Sequence, residues 1–515
     1  METITGQETG SAFIGKLNRN FAEAGGGATF GLPKIELIGS SLSTSNGQVV
    51  GAYANYADVK KYLVSPRYID VTGASRTMSV TGVNSSEQYA VFQYADDYTF
   101  IGATYKAYDA ETTLDDDCTF IKVAVKKSDN GTFGYDKRFV TLDIDGWNGC
   151  ESYNVGAEAA AQFHTFDVRQ PYADREITAN ATYTGNTGRL LTRGYIYLPK
   201  GYTPNGKPCP VIIHCHGTSG MTFDSNSLPY NGAYMEFLAN CGYAVIGCST
   251  VSELYPSVPD ADLCHPLGFA CIHSMWDYMH KMYNLADEAF IFGYSAGGMY
   301  TLMLSEQNTI PIRAAASLAG TIDMFANMRA CIKEVNQRWL TLVGITGLTF
   351  SNNYMSSQGS QMPVDSDVRT FILSNIDKFA GFNPFWYGSD IDRSAFLTAF
   401  FAIKNETSAL AANSTLQGIV DAASVYRRIP IKFWYAVDDP QVPIQLARWY
   451  CAMVKRGGGI AILREISANH GGHQAPGYTG DTSGTIPMTN YVTRYGDTIN
   501  VPVAYAEMVD WFNQW

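Results

Sequence analysis

The sequence predicts a multidomain chain: an N-terminal helix, an antiparallel β-sandwich, and then a mostly parallel α/β domain with helices on both faces and an inserted cap. Three observations carry that expectation. The length of 515 residues exceeds one ordinary domain. From about Gly31 to Trp147, short alternating runs separated by turn residues have the period of half-buried strands. Beyond about residue 187, apolar strand candidates alternate with helical stretches, the pattern of βαβ units.

The first element, within residues 1–28, is an amphipathic helix from about Ala12 to Ala24. Phe13, Ile14, Leu17 and Phe21 share one face, and Gly25-Gly26-Gly27 ends it. Such a helix needs a partner for its apolar face, either another copy of itself or the rest of its own chain. In residues 29–150, TFIKVAVKK alternates Ile121, Val123 and Val125 with Lys122, Ala124 and Lys126, so one face is expected in the core and the other in solvent. YAVFQY and YIDVTG read the same way, with SDNGTFG as a turn; the whole has the size of a β-sandwich module. Residues 151–186 read as a connector with some strand. In 187–515, GYIYLPKGY, PVIIHCHG, YAVIGCST, EAFIFGYSAGG, RAAASLAG, IPIKFWYAVDD and IAILREIS are strand candidates. The stretch between SLAG and IPIKFWY is too long for one crossover, so about 321–425 is expected to be a cap over the C-terminal edge of the sheet. Tyr505, Met508, Val509 and Phe512 fall at i, i+3, i+4 and i+7 of a closing helix.

Composition narrows the function. Charged residues make up 16% of the chain, against roughly a quarter in an average globular protein. Gly, Ser, Thr, Asn and Tyr take their place, a surface better suited to sugars than to nucleic acid. The net charge of −12 argues against a polyanion-binding face. No CxxC occurs among the ten cysteines, and several lie in apolar runs, so buried free thiols and assembly in a reducing compartment are expected. METITGQETG shows no signal-peptide pattern, and no apolar run is long enough to span a membrane.

The strongest chemical signal is Phe290-Ile291-Phe292-Gly293-Tyr294-Ser295-Ala296-Gly297-Gly298, a G-x-S-x-G between an apolar strand and a helix-compatible segment. A turn that tight strains the Ser295 backbone and exposes its hydroxyl at a helix N-terminus. A nucleophilic serine needs a base, an orienting acid and an oxyanion hole. PVIIHCHGTSG offers the hole: the N–H groups of Thr218 and Ala296 are the expected donors, with Gly217 allowing close approach. His214 and His216 share a strand face and present a metal site as an alternative, although no third ligand is apparent; His216 otherwise shapes the loop. The acid is expected from FWYAVDDPQVP, which offers Asp438 and Asp439, and a solvated Asx turn fits Asp438. The base lies in ISANHGGHQAPG, which carries both His470 and His473. The chain order Ser295, Asp439, His473 is that of α/β-hydrolases. No metal ion or organic cofactor is required.

HGTSG, GYSAGG, DPQVP and GGHQAPG together resemble the α/β-hydrolase superfamily over about 187–515, and within it esterases of the feruloyl/acetylxylan esterase and polyhydroxyalkanoate depolymerase type. The resemblance implies the α/β-hydrolase fold and a serine esterase. It aligns Asp439 with the triad acid and, through the G-G-H-x-x-P-G ending, His473 with the base; a generic xHG pattern keeps His470 as the alternative. At Ala475 those esterases carry a tryptophan, so their substrate class does not transfer. GSAFIGKLNRNF is similar to the K-[LI]-N-x-N-F openings of bacteriophage tail fibre and tail-associated proteins, and QYADDYTFIG with DDDCTFIKVAVKK resembles β-modules of tail and adhesin proteins.

These readings imply a tail-associated carbohydrate esterase that removes O-acetyl groups from a bacterial surface polysaccharide. It would be a homo-oligomer, a trimer if a tail protein, joined to other tail proteins through its N-terminus. It would assemble in the host cytoplasm and work in the virion, with no nucleic-acid or membrane partner. Two alternatives stand. One is an esterase or peptidase of the bacterial cytoplasm acting on plant-derived esters or peptides, with the β-module as a sugar-binding domain. The other is a glycan receptor-binding protein with an inactive hydrolase domain. Lesser features have ordinary explanations: a turn at Asp115-Asp116-Asp117, with calcium as the alternative; helix capping at Asp260, Asp262 and His265; and lid packing at Phe385, Trp386 and Tyr387, with sugar stacking as the alternative.

Overall fold

The computed structural model describes residues 34–39, 62–65, 67–108, 110–129, 137–144, 151–152, 162–169, 191–217, 232–248, 266–323, 370, 373–402, 407–439, 441–468, 470, 472–477 and 486–515. The N-terminal helix expected at 12–24, Asp260, Asp262, His265 and Thr218 lie outside these residues.

The N-terminal strands are β1 (Lys34–Gly39), β2 (Tyr62–Val64), β3 (Tyr68–Asp70), β4 (Thr77–Thr81), β5 (Glu87–Tyr94), β6 (Phe100–Ala107), β7 (Thr112–Thr113), β8 (Phe120–Lys127), β9 (Lys137–Ile144) and β10 (Glu151–Ser152). They form one antiparallel sheet rather than the two separate layers expected of a sandwich. The reason is β8. One edge pairs with β5 along its whole length, from Glu87↔Lys127 to Tyr94↔Phe120, and the other edge pairs with β2 and then β3. The arm β2-β1-β9-β4-β7 returns over β5 and β8. Ile35, Leu37, Val80, Val140, Val91 and Val123 consequently meet in a single buried cluster.

The other face of β5 and β8 is not solvated. Phe92, Tyr94, Phe120 and Ala124 join the core of the α/β domain, which reaches them through Tyr202, Tyr283 and Leu285. Arg67 Nε also donates to the Lys281 carbonyl at 3.0 Å. Lys122, expected in water from its alternation, is therefore only 1% exposed, with Nζ 4.5 Å from the centre of the Tyr68 ring. Burial pushes its pKa down to about 7. Asp115, Asp116 and Asp117 form an exposed turn, in which Asp115 accepts from the Asp117 N–H at 3.1 Å.

The second sheet has the order β11 (Gln162–Arg169), β12 (Leu191–Leu198), β14 (Ala244–Cys248), β13 (Cys209–Cys215), β15 (Leu285–Tyr294), β16 (Ile312–Leu318), β17 (Ile431–Ala436), β18 (Ala461–Ile466). It begins at Gln162, inside the stretch read as a connector, because β11 pairs antiparallel with β12 from Gln162↔Leu198 to Arg169↔Leu191. From β14 to β18 every pairing is parallel. Successive residues of the central strands enter opposite cores. Ile213 and Ile291 face α2 (Pro266–Met282) and α3 (Gly297–Gln307). Ile212, Phe290 and Phe292 face α1 (Gly232–Asn240) and the C-terminal helix. Burial on both faces explains why these strands read as continuous apolar runs. The architecture is a mostly parallel α/β sheet with helices on both faces.

Between β16 and β17 lies an insertion with the helices α4 (Ile376–Ala380), α5 (Arg393–Ala402), α6 (Thr407–Ala412) and α7 (Ser414–Asp421). Phe385 and Trp386 are fully buried, so both pack inside the base of this insertion and leave no face for a sugar. Arg427, at its root, donates through Nη2 to the carbonyls of Pro384 and Tyr387 at 2.9 and 2.7 Å and through Nε to the Tyr450 hydroxyl at 2.8 Å. It also faces Glu306 at 3.5 Å. After β17, α8 (Ile444–Arg456) returns the chain to β18. A hairpin of β19 (Met488–Val492) and β20 (Thr498–Pro502) then leads into α9 (Val503–Phe512), where Tyr505, Met508, Val509 and Phe512 are buried as their spacing predicts. Cys118, Cys209, Cys215, Cys241, Cys248, Cys271 and Cys451 are free and buried. No helix among the described residues is long and apolar enough to cross a membrane.

Candidate active site

Parallel pairing places the chemistry at the C-terminal ends of adjacent strands. His214↔Phe292 and Cys215↔Gly293 are in register, so the turn after β13 and the turn after β15 emerge side by side. Ser295 follows β15 with φ +51°, a left-handed conformation that costs a non-glycine residue about 1–3 kcal/mol. Its backbone is held on both sides: its N–H donates to the Leu318 carbonyl at 3.1 Å, and its carbonyl accepts from Gly298 and Thr321 at 2.9 and 2.8 Å. The flanking glycines are needed for space. A Cβ at Gly293 would lie 2.2 Å from the Gly297 carbonyl oxygen, and one at Gly297 would lie 2.0 Å from that of Cys215. No side chain fits either gap.

His473 lies in a short 3₁₀ turn, Gly472–Gln474, beyond β18. Its Nε2 is 3.0 Å from Ser295 Oγ and its Nδ1 is 2.8 Å from Asp439 Oδ2. The Asp439 carboxylate is fully buried, and its second oxygen accepts from the Gln441 and Val442 N–H groups at 2.8 and 2.9 Å. Asp439 thus makes turn hydrogen bonds of its own, and Asp438 is exposed, as a solvated turn requires. They fix the carboxylate so that its free oxygen points at the imidazole. The structure brings Ser295, His473 and Asp439 into one hydrogen-bonded line; His470, half-buried, is not in it.

Ala296 immediately precedes α3, where N–H groups have no intrahelical partner, and this is where an oxyanion donor is needed. Gly217 passes close to the nucleophile: a Cβ there would lie 3.3 Å from the Ser295 Cβ. The neighbouring histidines are engaged elsewhere. His216 Nδ1–H donates to the Gly217 carbonyl at 2.6 Å, which shapes the turn. His214 shares a 2.5 Å hydrogen bond with the Tyr195 hydroxyl and stacks on Phe292. Burial, with a smaller contribution from His216, pushes the His214 pKa down to about 3, so its ring is neutral at pH 7. Among the described residues no group of three or more His, Cys, Asp or Glu side chains is arranged to hold a metal ion.

One feature of the site was missed by sequence reasoning: the Tyr294 hydroxyl donates to the His473 main-chain carbonyl at 2.7 Å. The two residues are 179 positions apart, so no local pattern announces the contact.

A serine whose hydroxyl meets an imidazole, itself aligned by a buried carboxylate, can be deprotonated as it attacks a carbonyl carbon. No protein-family model and no curated protein sequence matches the chain. Among solved structures it is similar to Pyrococcus horikoshii acylaminoacyl peptidase, at 13% identity and a TM-score of 0.34 over 60% of this chain and 38% of that one. It is also similar to an arylesterase, at 14% and 0.33 over 62% and 77%, and to a thermophilic esterase from the Planctomycetes species Thermogutta terrifontis, at 12% and 0.36 over 63% and 86%. The chain spans about two fifths of the length of the acylaminoacyl peptidases it matches.

Proposed function

We propose that the chain is a serine carboxylic-ester hydrolase that removes acyl groups, O-acetyl in the simplest case, from a bacterial surface polysaccharide as part of a phage tail. The observation that carries the hydrolase reading is the Ser295–His473–Asp439 line, with its 3.0 and 2.8 Å contacts. The carbohydrate and tail roles have separate support: the composition, low in charged residues and rich in hydroxyls, and the tail-protein resemblance of GSAFIGKLNRNF.

In this reading Ser295 Oγ attacks the ester carbonyl carbon while His473 Nε2 takes its proton. The negative charge that forms on the carbonyl oxygen is met by the Ala296 and Thr218 N–H groups. Collapse breaks the bond to the sugar oxygen, which receives the proton from His473 and leaves as an alcohol. Water then attacks the acyl-enzyme with His473 again as base, and acetate departs as Ser295 is regenerated. Asp439 keeps the proton on Nδ1 and stabilises the imidazolium formed at each step.

The test is a screen for acetate release from bacterial capsular and plant polysaccharides, with wild type and Ser295→Ala side by side. Release from a capsular polysaccharide by wild type alone supports the deacylase reading and its substrate class. Release from plant polymers alone transfers the substrate to another class. Turnover limited to aminoacyl substrates makes it a peptidase, and binding without release makes it a receptor.

A further inference from the structure

We propose that Tyr294 is a positioning residue for the catalytic base, its hydroxyl pinning the His473 loop to the sheet. The inference rests on the serine-hydrolase reading and adds a residue to it. His473 sits in a 3₁₀ turn of three residues, Gly472–Gln474, which offers little stiffness of its own. Asp439 fixes the imidazole at Nδ1 alone. That contact orients the ring but does not hold the backbone that carries it, and Nε2 must stay within reach of Ser295 Oγ. An anchor on the same residue's main chain restrains that backbone, and Tyr294 supplies it at 2.7 Å.

Tyr294 is suited to this by its place in the chain. It is the last residue of β15, paired with Leu318 on the neighbouring strand, and immediately precedes the nucleophile. Its position is therefore set by the same strand end that sets Ser295. The side chain is 5% exposed and belongs to the aromatic core formed by Phe292, Trp434 and Tyr505. Its ring centre lies 5.3 Å from that of His473. The ring also closes on the turn after β13, since a Cβ at Gly217 would stand 3.4 Å from its Cδ1. One rigid phenol thus ties the base to the strand end that carries the nucleophile. The hydroxyl touches no reacting atom, so its effect runs through His473.

Tyr294→Phe isolates the hydroxyl, because the ring and its packing remain. The variant is expected to lose about 10- to 100-fold in kcat, the scale of a misplacement near 1 Å, with KM within about twofold of wild type and little change in Tm. Its crystal structure is expected to show His473 Nε2 beyond hydrogen-bond reach of Ser295 Oγ. An unmoved imidazole, wild-type kcat, or a fall in Tm accompanied by a raised KM would each overturn the proposal. If wild type neither hydrolyses esters nor reacts at Ser295 with a fluorophosphonate, the proposed reaction fails by itself. The crystallographic comparison still decides the role of Tyr294.

Discussion

Strands β8 and β15 are both central and both buried on two faces, yet they carry polar groups in opposite ways. In β15 the run Phe290-Ile291-Phe292 is entirely apolar, and the polar residue, Ser295, comes after the strand ends, where the turn lifts it over the sheet. In β8 a lysine sits mid-strand and is enclosed against Tyr68 by the docking of two domains. The first arrangement puts strain and reactivity at one edge, backed by a full hydrophobic core. The second encloses an amine between two buried faces, away from the Ser295 edge. A serine held this way is expected to matter for rate and hardly at all for stability; a lysine held this way, the reverse.

The widest separation should come from Ser295→Ala. Hydrolysis is expected to fall about 10⁴- to 10⁶-fold with an unchanged melting temperature, measured on any ester that wild type turns over. His473→Ala should lose a similar amount and His470→Ala little, since only His473 reaches both partners. A larger loss at His470 would exchange their roles. Asp439→Asn leaves the geometry while favouring the wrong imidazole tautomer, so a fall of about 10⁴-fold in kcat is expected, as for the equivalent change in chymotrypsin-like enzymes. Gly297→Ala tests the elbow itself. Its Cβ would meet the Cys215 and His216 carbonyl oxygens at 2.0 and 2.5 Å, so the turn must move, and a loss near 10²-fold is expected in steady-state kinetics.

The smallest effect, and the one that sets β8 apart, is on stability. In the unfolded chain lysine titrates near about 10.4, whereas burial brings Lys122 to about 7 in the folded protein. Between those values the unfolded chain binds more protons, so stability rises with pH across that window, and the penalty is full below about pH 7. Lys122→Met should therefore raise Tm by several degrees at or below about pH 7 and by much less near about pH 10. Calorimetry across that range, with equal kcat throughout, is the check.

The difference between the strands also marks what could be read from sequence. The elbow was legible because its requirements are local: two glycines, a strand before, a helix after. Chain order confined the acid and the base to two short stretches, and the resemblance of DPQVP and GGHQAPG to esterase motifs pointed to Asp439 and His473 within them. Lys122 was misplaced because alternation reports the period of a strand and not what covers its outer face; here a second domain covers it. The single wrapped sheet was hidden for a related reason, since β8 shares one edge between β2 and β3, a pairing that no single strand's pattern encodes. Tyr294 read as an ordinary member of G-x-S-x-G, and only the fold brings its hydroxyl to the His473 carbonyl.

The central claim is that Ser295 is a nucleophile activated by His473. Its most direct test is the site and rate of fluorophosphonate labelling, followed by mass spectrometry of the intact chain and its peptides. One adduct on Ser295 is expected in wild type, none in Ser295→Ala, and labelling slowed by orders of magnitude in His473→Ala. An unlabelled Ser295, or labelling that proceeds at the wild-type rate without His473, would contradict it.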